Sequence, residues 1–272
     1  MTWPSRTEQL AYSELQPKML DEEGRRRKGQ KLVAIVEHFL GESLGGRRVL
    51  DVGSSTGFIT DELARAGGEV VGVDIDRPGL AAAWARFEGV RPFVCARGEH
   101  LPFPEDSLDV VIFNHIYEHT VDPVPVVREI RRVLRPGGVV YLGFANRLGV
   151  IEPHYRLPFL SYLPQRAADA YMRAAGKGDA YHEQFRTRAG LKRLTGGLTV
   201  WDYTLAVLHE PERFGAGQDV PGIARRVPPA VWRAALPLFP TFLWVGVKGD
   251  GGPAGPALRE PPMLVPTPRQ PS

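Results

Sequence analysis

From Arg48 onward the chain alternates short apolar runs with helical ones: RRVLDVG, TGFITDELARAGG, EVVGVDID, PGLAAAWARFEG and RPFVCA. Strands that are apolar on both sides of the pleat are covered on both faces, and a helix between successive strands makes their order parallel. The rhythm continues with SLDVVIFN as a buried strand, PVPVVREIRRVLRPGG as an amphipathic helix stopped at Pro136 and Gly137, and VVYLGFAN as a further strand. A chain with this pattern folds as a doubly wound α/β sheet. Its 272 residues suffice for one such core with insertions. Hydrophobic residues at 43% and charged residues at 24% supply ordinary globular material to bury.

Three parts follow along the chain. Residues 1–45 read as an N-terminal helical lead, with a helix around Gln30 to Leu40 in which Leu32, Ile35, Val36 and Phe39 recur at helical spacing. Residues 46–250 hold the main domain, interrupted at about 147–187 by an inserted cap rich in aromatics and prolines. Strand patterns return after the cap at LTVWDYTLAVL and TFLWVGVKG. Residues 251–272 are Pro-rich and short of core-forming side chains, so a disordered tail is expected there.

Charge and cysteine content narrow the function classes. A net charge of +3 is too small for a dedicated nucleic-acid binder, and the run Arg25-Arg26-Arg27-Lys28 with Lys31 reads as a solvated helix face. The single cysteine, Cys95, forms no internal disulfide and fits a reducing compartment, so a cytoplasmic location is expected. The late apolar stretch Val227 to Val247 carries Arg233 and four prolines, which a membrane span tolerates poorly.

The chemistry concentrates after the first strand. Asp51-Val-Gly53-Ser-Ser-Thr-Gly57 joins a hydrophobic strand to a helix, where glycines allow a tight turn and close ligand approach. Alone, such a loop is consistent with a turn and nothing more. Asp74, at the end of VVGVDID, follows it by the spacing at which a carboxylate meets two ribose hydroxyls. Glu99-His-Leu-Pro-Phe103 precedes the fourth strand, with Leu101 and Phe103 placed to wall a flat ring, and Leu134-Arg-Pro-Gly-Gly138 precedes the fifth.

In that order and spacing, VLDVGSSTG, VVGVDID, LPFPEDSLDVV and VLRPGG resemble the motifs of class I S-adenosylmethionine-dependent methyltransferases, over roughly residues 47–146. The resemblance implies a Rossmann-like, seven-stranded sheet whose last strand is antiparallel, with the helical and loop cap inserted after strand five. It implies S-adenosyl-L-methionine as cofactor. Gly53, Ser55 and Gly57 would cradle the methionine part, with Asp51 near its amino group. Asp74 and Ile75 would meet the ribose, and Glu99, Leu101 and Asn114 would complete the pocket. Ser55 stands where the family loop has a glycine. Arg97 stands where many relatives have an aspartate that accepts from the adenine amino group, which a guanidinium cannot do.

Methyl transfer needs alignment and exclusion of water more than it needs a reactive side chain, and a base helps only where the acceptor must lose a proton. Candidates for acceptor chemistry are His115 and His119 after the fourth strand, and His154 in the cap, with Glu152, Tyr155, Tyr181 and His182 around it. His115-Ile-Tyr-Glu118-His119 also has metal-binding spacing. Relatives with a similar cluster carry glutamate at the position of His115, so no metal is expected, and His119 reads first as a structural residue, next as a base and last as a metal ligand. The apolar cap residues Leu157, Phe159, Leu160 and Leu163 favour a small-molecule acceptor with a hydrophobic or glycan part. RNA or protein acceptors rest on the basic run alone. A dehydrogenase would carry a different glycine pattern, and a non-catalytic cofactor-binding homologue rests on Arg97 alone.

Overall fold

The computed structural model describes residues 10, 12–15, 20–87 and 92–268. Two helices lead in, α1 (Tyr12–Leu15) and α2 (Glu22–Leu40). The doubly wound part follows: β1 (Arg48–Val52), α3 (Phe58–Arg65), β2 (Glu69–Asp74), α4 (Arg77–Phe87), β3 (Phe93–Cys95), β4 (Leu108–Asn114), α5 (Pro123–Val133) and β5 (Leu134–Ala145). The cap holds α6 (Gln165–Ala174). After it come α7 (Arg188–Leu194), β6 (Thr199–Asp202), α8 (Thr204–His209), α9 (Pro229–Ala235), β7 (Thr241–Val247) and β8 (Met263–Val265).

The strands form one sheet in the order β3-β2-β1-β4-β5-β7-β6-β8. Strands β1 to β5 pair in parallel, and β7 runs antiparallel to both β5 and β6. In β4, Val111 and Phe113 join the core on one face while Val110 and Ile112 join the core on the other. That explains why SLDVVIFN is apolar without alternation: period two on a sheet covered on both sides leaves no position for a polar residue.

Four sequence expectations are corrected. The lead helix begins at Glu22 rather than near Gln30, because Asp21 caps it by accepting from the Gly24 N–H at 3.1 Å. The helix before the fifth strand ends at Val133, ahead of Pro136, and Leu134 already pairs with Leu108. Only Thr199–Asp202 of LTVWDYTLAVL is strand, and Thr204 starts a helix after Asp202 accepts from the Thr204 N–H.

The fourth concerns the tail, which carries an eighth strand where seven were expected. β8 pairs antiparallel with β6, burying Val265 to 1% exposure. Glu260, at 3%, is gripped by both ends of the Arg233 guanidinium at 2.7 and 2.9 Å. The Ala254 N–H donates to Phe39, and the Trp201 indole donates to the Gly251 carbonyl. A Pro-rich segment needs little core of its own when its extended backbone is held by an existing sheet edge. The last four residues of the tail lie outside those described.

Candidate functional site

Loops at the carboxyl ends of β1, β2 and β4 surround a cavity of about 660 Å³, where a doubly wound sheet holds its ligands. Of the residues proposed from sequence, Asp51, Gly53, Ser55, Asp74, Ile75, Glu99, Asn114, His115, His119 and His154 line it. Gly57 and Leu101 do not. Gly57, at φ +78°, starts α3, and a Cβ there would stand 2.6 Å from the Phe93 ring. Leu101 is core, 4% exposed, and Phe103 packs partly buried against the same core.

The loop after β1 turns through Gly53 at φ +82° and Ser55 at φ +43°. A side chain at Gly53 would run into Ile116, so the glycine serves close packing as well as ligand approach. Ser55 fixes the loop to the next strand. Its N–H donates to Asp74 Oδ2 at 2.7 Å, and the Asp76 N–H donates to Asp74 Oδ1 at 2.9 Å. Each carboxylate oxygen keeps capacity for one more donor. Burial raises the Asp74 pKa, and main-chain hydrogen bonds from Asp76, Ser55 and Ile75 oppose it.

Asp51 is 2% exposed and accepts from the Thr60 hydroxyl at 2.7 Å. Burial pushes its pKa up to about 6, against the Thr60 hydrogen bond and the charge of Arg25. Arg25 enters the cavity from α2, with Asp51 and Asp74 acting on it through their charges, while burial pulls its pKa down. Its Nε is buried with no hydrogen-bond partner among the described residues. Sequence reading took Arg25 for part of a solvated face. The signal was present, since Arg25, Gly29, Leu32 and Val36 fall on one helical stripe, and the last three are buried.

Asp76 was also missed. Buried to 2%, it accepts from the Ser13 N–H and hydroxyl, at 2.9 and 3.0 Å, and from the Ser55 hydroxyl at 3.2 Å. It thereby ties α1 to the loop and sets Tyr12 in the cavity wall, its ring 4.6 Å from that of His119. Arg97 lies exposed at the rim.

The opposite end is dense in ionisable side chains. Glu118, Glu152 and Glu183 are 0%, 1% and 5% exposed. His115 Nδ1 lies 3.3 Å from Glu118 Oε1, and His154 Nδ1 donates to Glu152 Oε1 at 2.9 Å. Burial opposes charge on both Glu118 and His154. On Glu118 the hydrogen bond and charge of His115 outweigh it and hold the pKa low. On His154 the Glu152 hydrogen bond with the charges of Glu118 and Glu183 outweighs it and holds the pKa high. Tyr155 donates to Glu183 at 3.2 Å, and His182 is exposed, away from the cavity. The cap's apolar residues do not face the cavity as expected: Leu160 is core, Leu157 and Leu163 pack against it, and Phe159 is 53% exposed. Apolar lining comes instead from Val121, Val126, Val207, Leu208, Phe239 and Leu243.

A family model described as "Methyltransferase domain" matches residues 50–142. An uncharacterized methyltransferase of Mycobacterium sp. (strain JLS) is 41% identical over 133 residues, covering 48% of this chain and 52% of that protein. One from Mycobacterium tuberculosis (strain ATCC 25177 / H37Ra) is 37% identical over 134 residues, with the same coverage. The chain thus spans about half the length of the curated relatives it matches. Among solved structures, a Haloferax volcanii putative methyltransferase in complex with the Trm112 activator aligns at TM-score 0.55 and 19% identity, over 90% of this chain and all of that one. YcgJ from Bacillus subtilis aligns at 0.50 and 16%, over 80% and 99%. Phosphoethanolamine N-methyltransferase 2 of Haemonchus contortus, solved with S-adenosyl-L-methionine, aligns at 0.50 and 20%, over 80% and 52%. At these identities the structural matches speak for the fold. The family model and the curated relatives make residues 50–142 similar to a methyltransferase domain.

Proposed function

We propose that the whole chain binds S-adenosylmethionine in this cavity and transfers its methyl group to an O, N or C atom of a small-molecule acceptor with an apolar part. The observation that carries the reading is the charge pattern at the cofactor end: a buried carboxylate, Asp51, faces the half-buried Arg25, whose Nε is buried with no hydrogen-bond partner among the described residues. An amino acid zwitterion satisfies both, its ammonium on Asp51 and its carboxylate on Arg25. Asp74 has the capacity to accept from two ribose hydroxyls.

The cofactor's sulfonium makes the methyl group electrophilic when bound. What this chain supplies is position and dryness. The loop from Gly53 to Gly57 fixes the amino acid end, Asp74 the ribose, and the apolar lining exclude water around the acceptor. The imidazoles of His115, His119 and His154 mark the acceptor end. The basic run carries less weight for a nucleic-acid acceptor than its composition suggests. Arg26 pairs with Asp61 and Glu62 at 2.8 and 2.6 Å, Arg27 with Glu23 at 3.1 Å, and Lys31 with Asp219 at 2.7 Å. Among the described residues no helix is long and apolar enough to cross a membrane.

Calorimetric titration with S-adenosylhomocysteine tests the reading. Wild type binds it, and Asp74→Ala, which removes two acceptors for ribose hydroxyls, binds at least a hundredfold more weakly, from about 1.5 kcal/mol or more for each charge-assisted hydrogen bond. Absence of binding to wild type overturns the proposal.

A further inference from the structure

The acceptor end contains the parts of a metal site. Glu118 and His119 follow β4, His154 comes from the cap, and each offers one ligand atom within 4.8 Å of the other two. A bound ion with ligand bonds of about 2.1 Å holds neighbouring ligand atoms about 3.4 Å apart, so the three need to close by about 1.4 Å at most around it. Two imidazoles and a carboxylate suit zinc, cobalt, manganese or iron, and they leave coordination positions open.

Two neighbours fit the same purpose. The Glu152 carboxylate accepts from His154 Nδ1 at 2.9 Å and is itself held by the His154 and Tyr155 N–H groups at 2.8 and 2.6 Å. This fixes the tautomer whose Nε2 carries the lone pair, the arrangement by which an outer carboxylate orients a metal-binding histidine. Independently of that hydrogen bond, Glu183 is 5% exposed and acts through its charge on His154, yet its Oε2 has no hydrogen-bond partner among the described residues. A buried carboxyl oxygen so placed lacks the donor or cation that its burial calls for.

We propose that Glu118, His119 and His154 bind a divalent cation whose open positions face the cavity and take an oxygen of the acceptor. His119 and His154 both line the cavity, so the ion reaches the space where the acceptor sits. Binding of the ion stands by itself, whereas its role toward the acceptor rests on the methyl-transfer reading. The acceptor class that follows is one with a hydroxyl, enol or catechol oxygen able to ligate a metal. The ion lowers the pKa of that oxygen's proton, which passes to water, and orients the resulting oxyanion; the new C–O bond forms as the S–CH3 bond breaks and S-adenosylhomocysteine leaves as the thioether. The sequence reading expected no metal because His115 replaces a glutamate. The structure supplies the third ligand from the cap instead.

The full chain, stripped of metal by chelator, is titrated with Co²⁺ and followed by its visible absorption. The expected result is a saturable band at one ion per chain, displaced by Zn²⁺. His154→Ala and His119→Ala each weaken Co²⁺ at least a hundredfold while S-adenosylhomocysteine still binds, which certifies the fold. Glu183→Gln weakens it about tenfold, the size of an outer-shell loss. A saturable band that is absent in wild type, or that survives both histidine variants, overturns the site. Catechol, a simple two-oxygen ligand, shifts the band if positions open to the cavity. A band that catechol leaves unmoved makes the ion a closed structural one and overturns its role toward the acceptor. Failure of S-adenosylhomocysteine to bind wild type sinks the methyl-transfer reading alone, because the Co²⁺ band does not depend on it.

Discussion

The two ends of the cavity are built on different principles. At the cofactor end the carboxylates of Asp51 and Asp74 lie within one contiguous run of chain and accept from donors of that same run, Thr60 and the N–H groups of Ser55 and Asp76. At the acceptor end Glu118, Glu152 and Glu183 come from three separate segments: Glu118 and Glu152 each meet a histidine of their own segment, and Glu183 accepts from Tyr155 of the Glu152 segment. The first end is a product of a strand, a turn and a helix in succession. The second exists only once the cap has docked. On the proposed function, local construction would hold the cofactor and long-range construction the acceptor.

That contrast is sharpest at Asp51, a local residue with a functional cost. Its pKa is raised to about 6 from 3.8. A raised carboxylate pKa means folding disfavours the charged form, so the penalty is full above pH 6 and fades as pH falls from 6 toward 3.8. Two units correspond to about 3 kcal/mol. Without ligand, Asp51→Asn therefore gains up to about 3 kcal/mol of stability at pH 8 and almost nothing at pH 4, measured by denaturant titration. S-adenosylhomocysteine should show the opposite: wild type loses affinity as pH falls through about 6, and the variant binds weakly at every pH. A variant that binds as well as wild type would make Asp51 a packing residue and erase the distinction between the ends.

Arg25 tests whether the cofactor end also reaches across the chain. Arg25→Met removes the guanidinium but keeps the length of the side chain. It should weaken S-adenosylhomocysteine ten- to a hundredfold, about 1.5–3 kcal/mol for a charge-assisted pair. Methylthioadenosine, which lacks the amino acid end, should bind as before. Equal losses on both compounds would mean that Arg25 supports the loop rather than a carboxylate.

A control region lies outside both ends. Val265 is 1% exposed in β8, and Val265→Ala should cost about 2 kcal/mol through lost burial and a small cavity. In a chain of this size that lowers Tm by roughly 5 °C. Affinity for S-adenosylhomocysteine should not change. A change in affinity would show that the sheet edge communicates with the cavity.

How much the sequence disclosed follows the same division. The parallel sheet, the Gly-rich turn and Asp74 were legible because each depends on residues within one βα unit, where period and spacing suffice. Arg25 was legible in principle, from its stripe with Gly29 and Leu32, but its charge pointed toward solvent. Asp76 was hidden, since two of its donors belong to Ser13, far back in the lead, beside those of Ser55 and Gly79. The pairing of Glu152 with His154 was within reach at two residues' separation. Its approach to Glu118 and Glu183 was not, because nothing local fixes where a cap comes to rest. The tail misled for a further reason: proline content reports on the ability to form a core, and β8 needs only an edge to lie against.

The smallest effect belongs to Ser55, where the loop departs from the glycine of its family. A serine at φ +43° sits in the left-handed region at a cost of about 1 kcal/mol. Against that, its hydroxyl donates to Asp76 at 3.2 Å, a long hydrogen bond contributing about 1 kcal/mol or less. Glycine would relieve the strain and surrender the bond, while also gaining freedom in the unfolded chain that folding must remove. The terms nearly cancel, so Ser55→Gly should shift stability by less than about 1 kcal/mol, as read by denaturant midpoint. The N–H that meets Asp74 survives the change, and cofactor affinity should move by no more than about threefold. A larger loss would locate binding energy in the serine hydroxyl, through its hold on Asp76 and hence on Tyr12. The cofactor end would then share the long-range construction of the acceptor end, joined to it through α1.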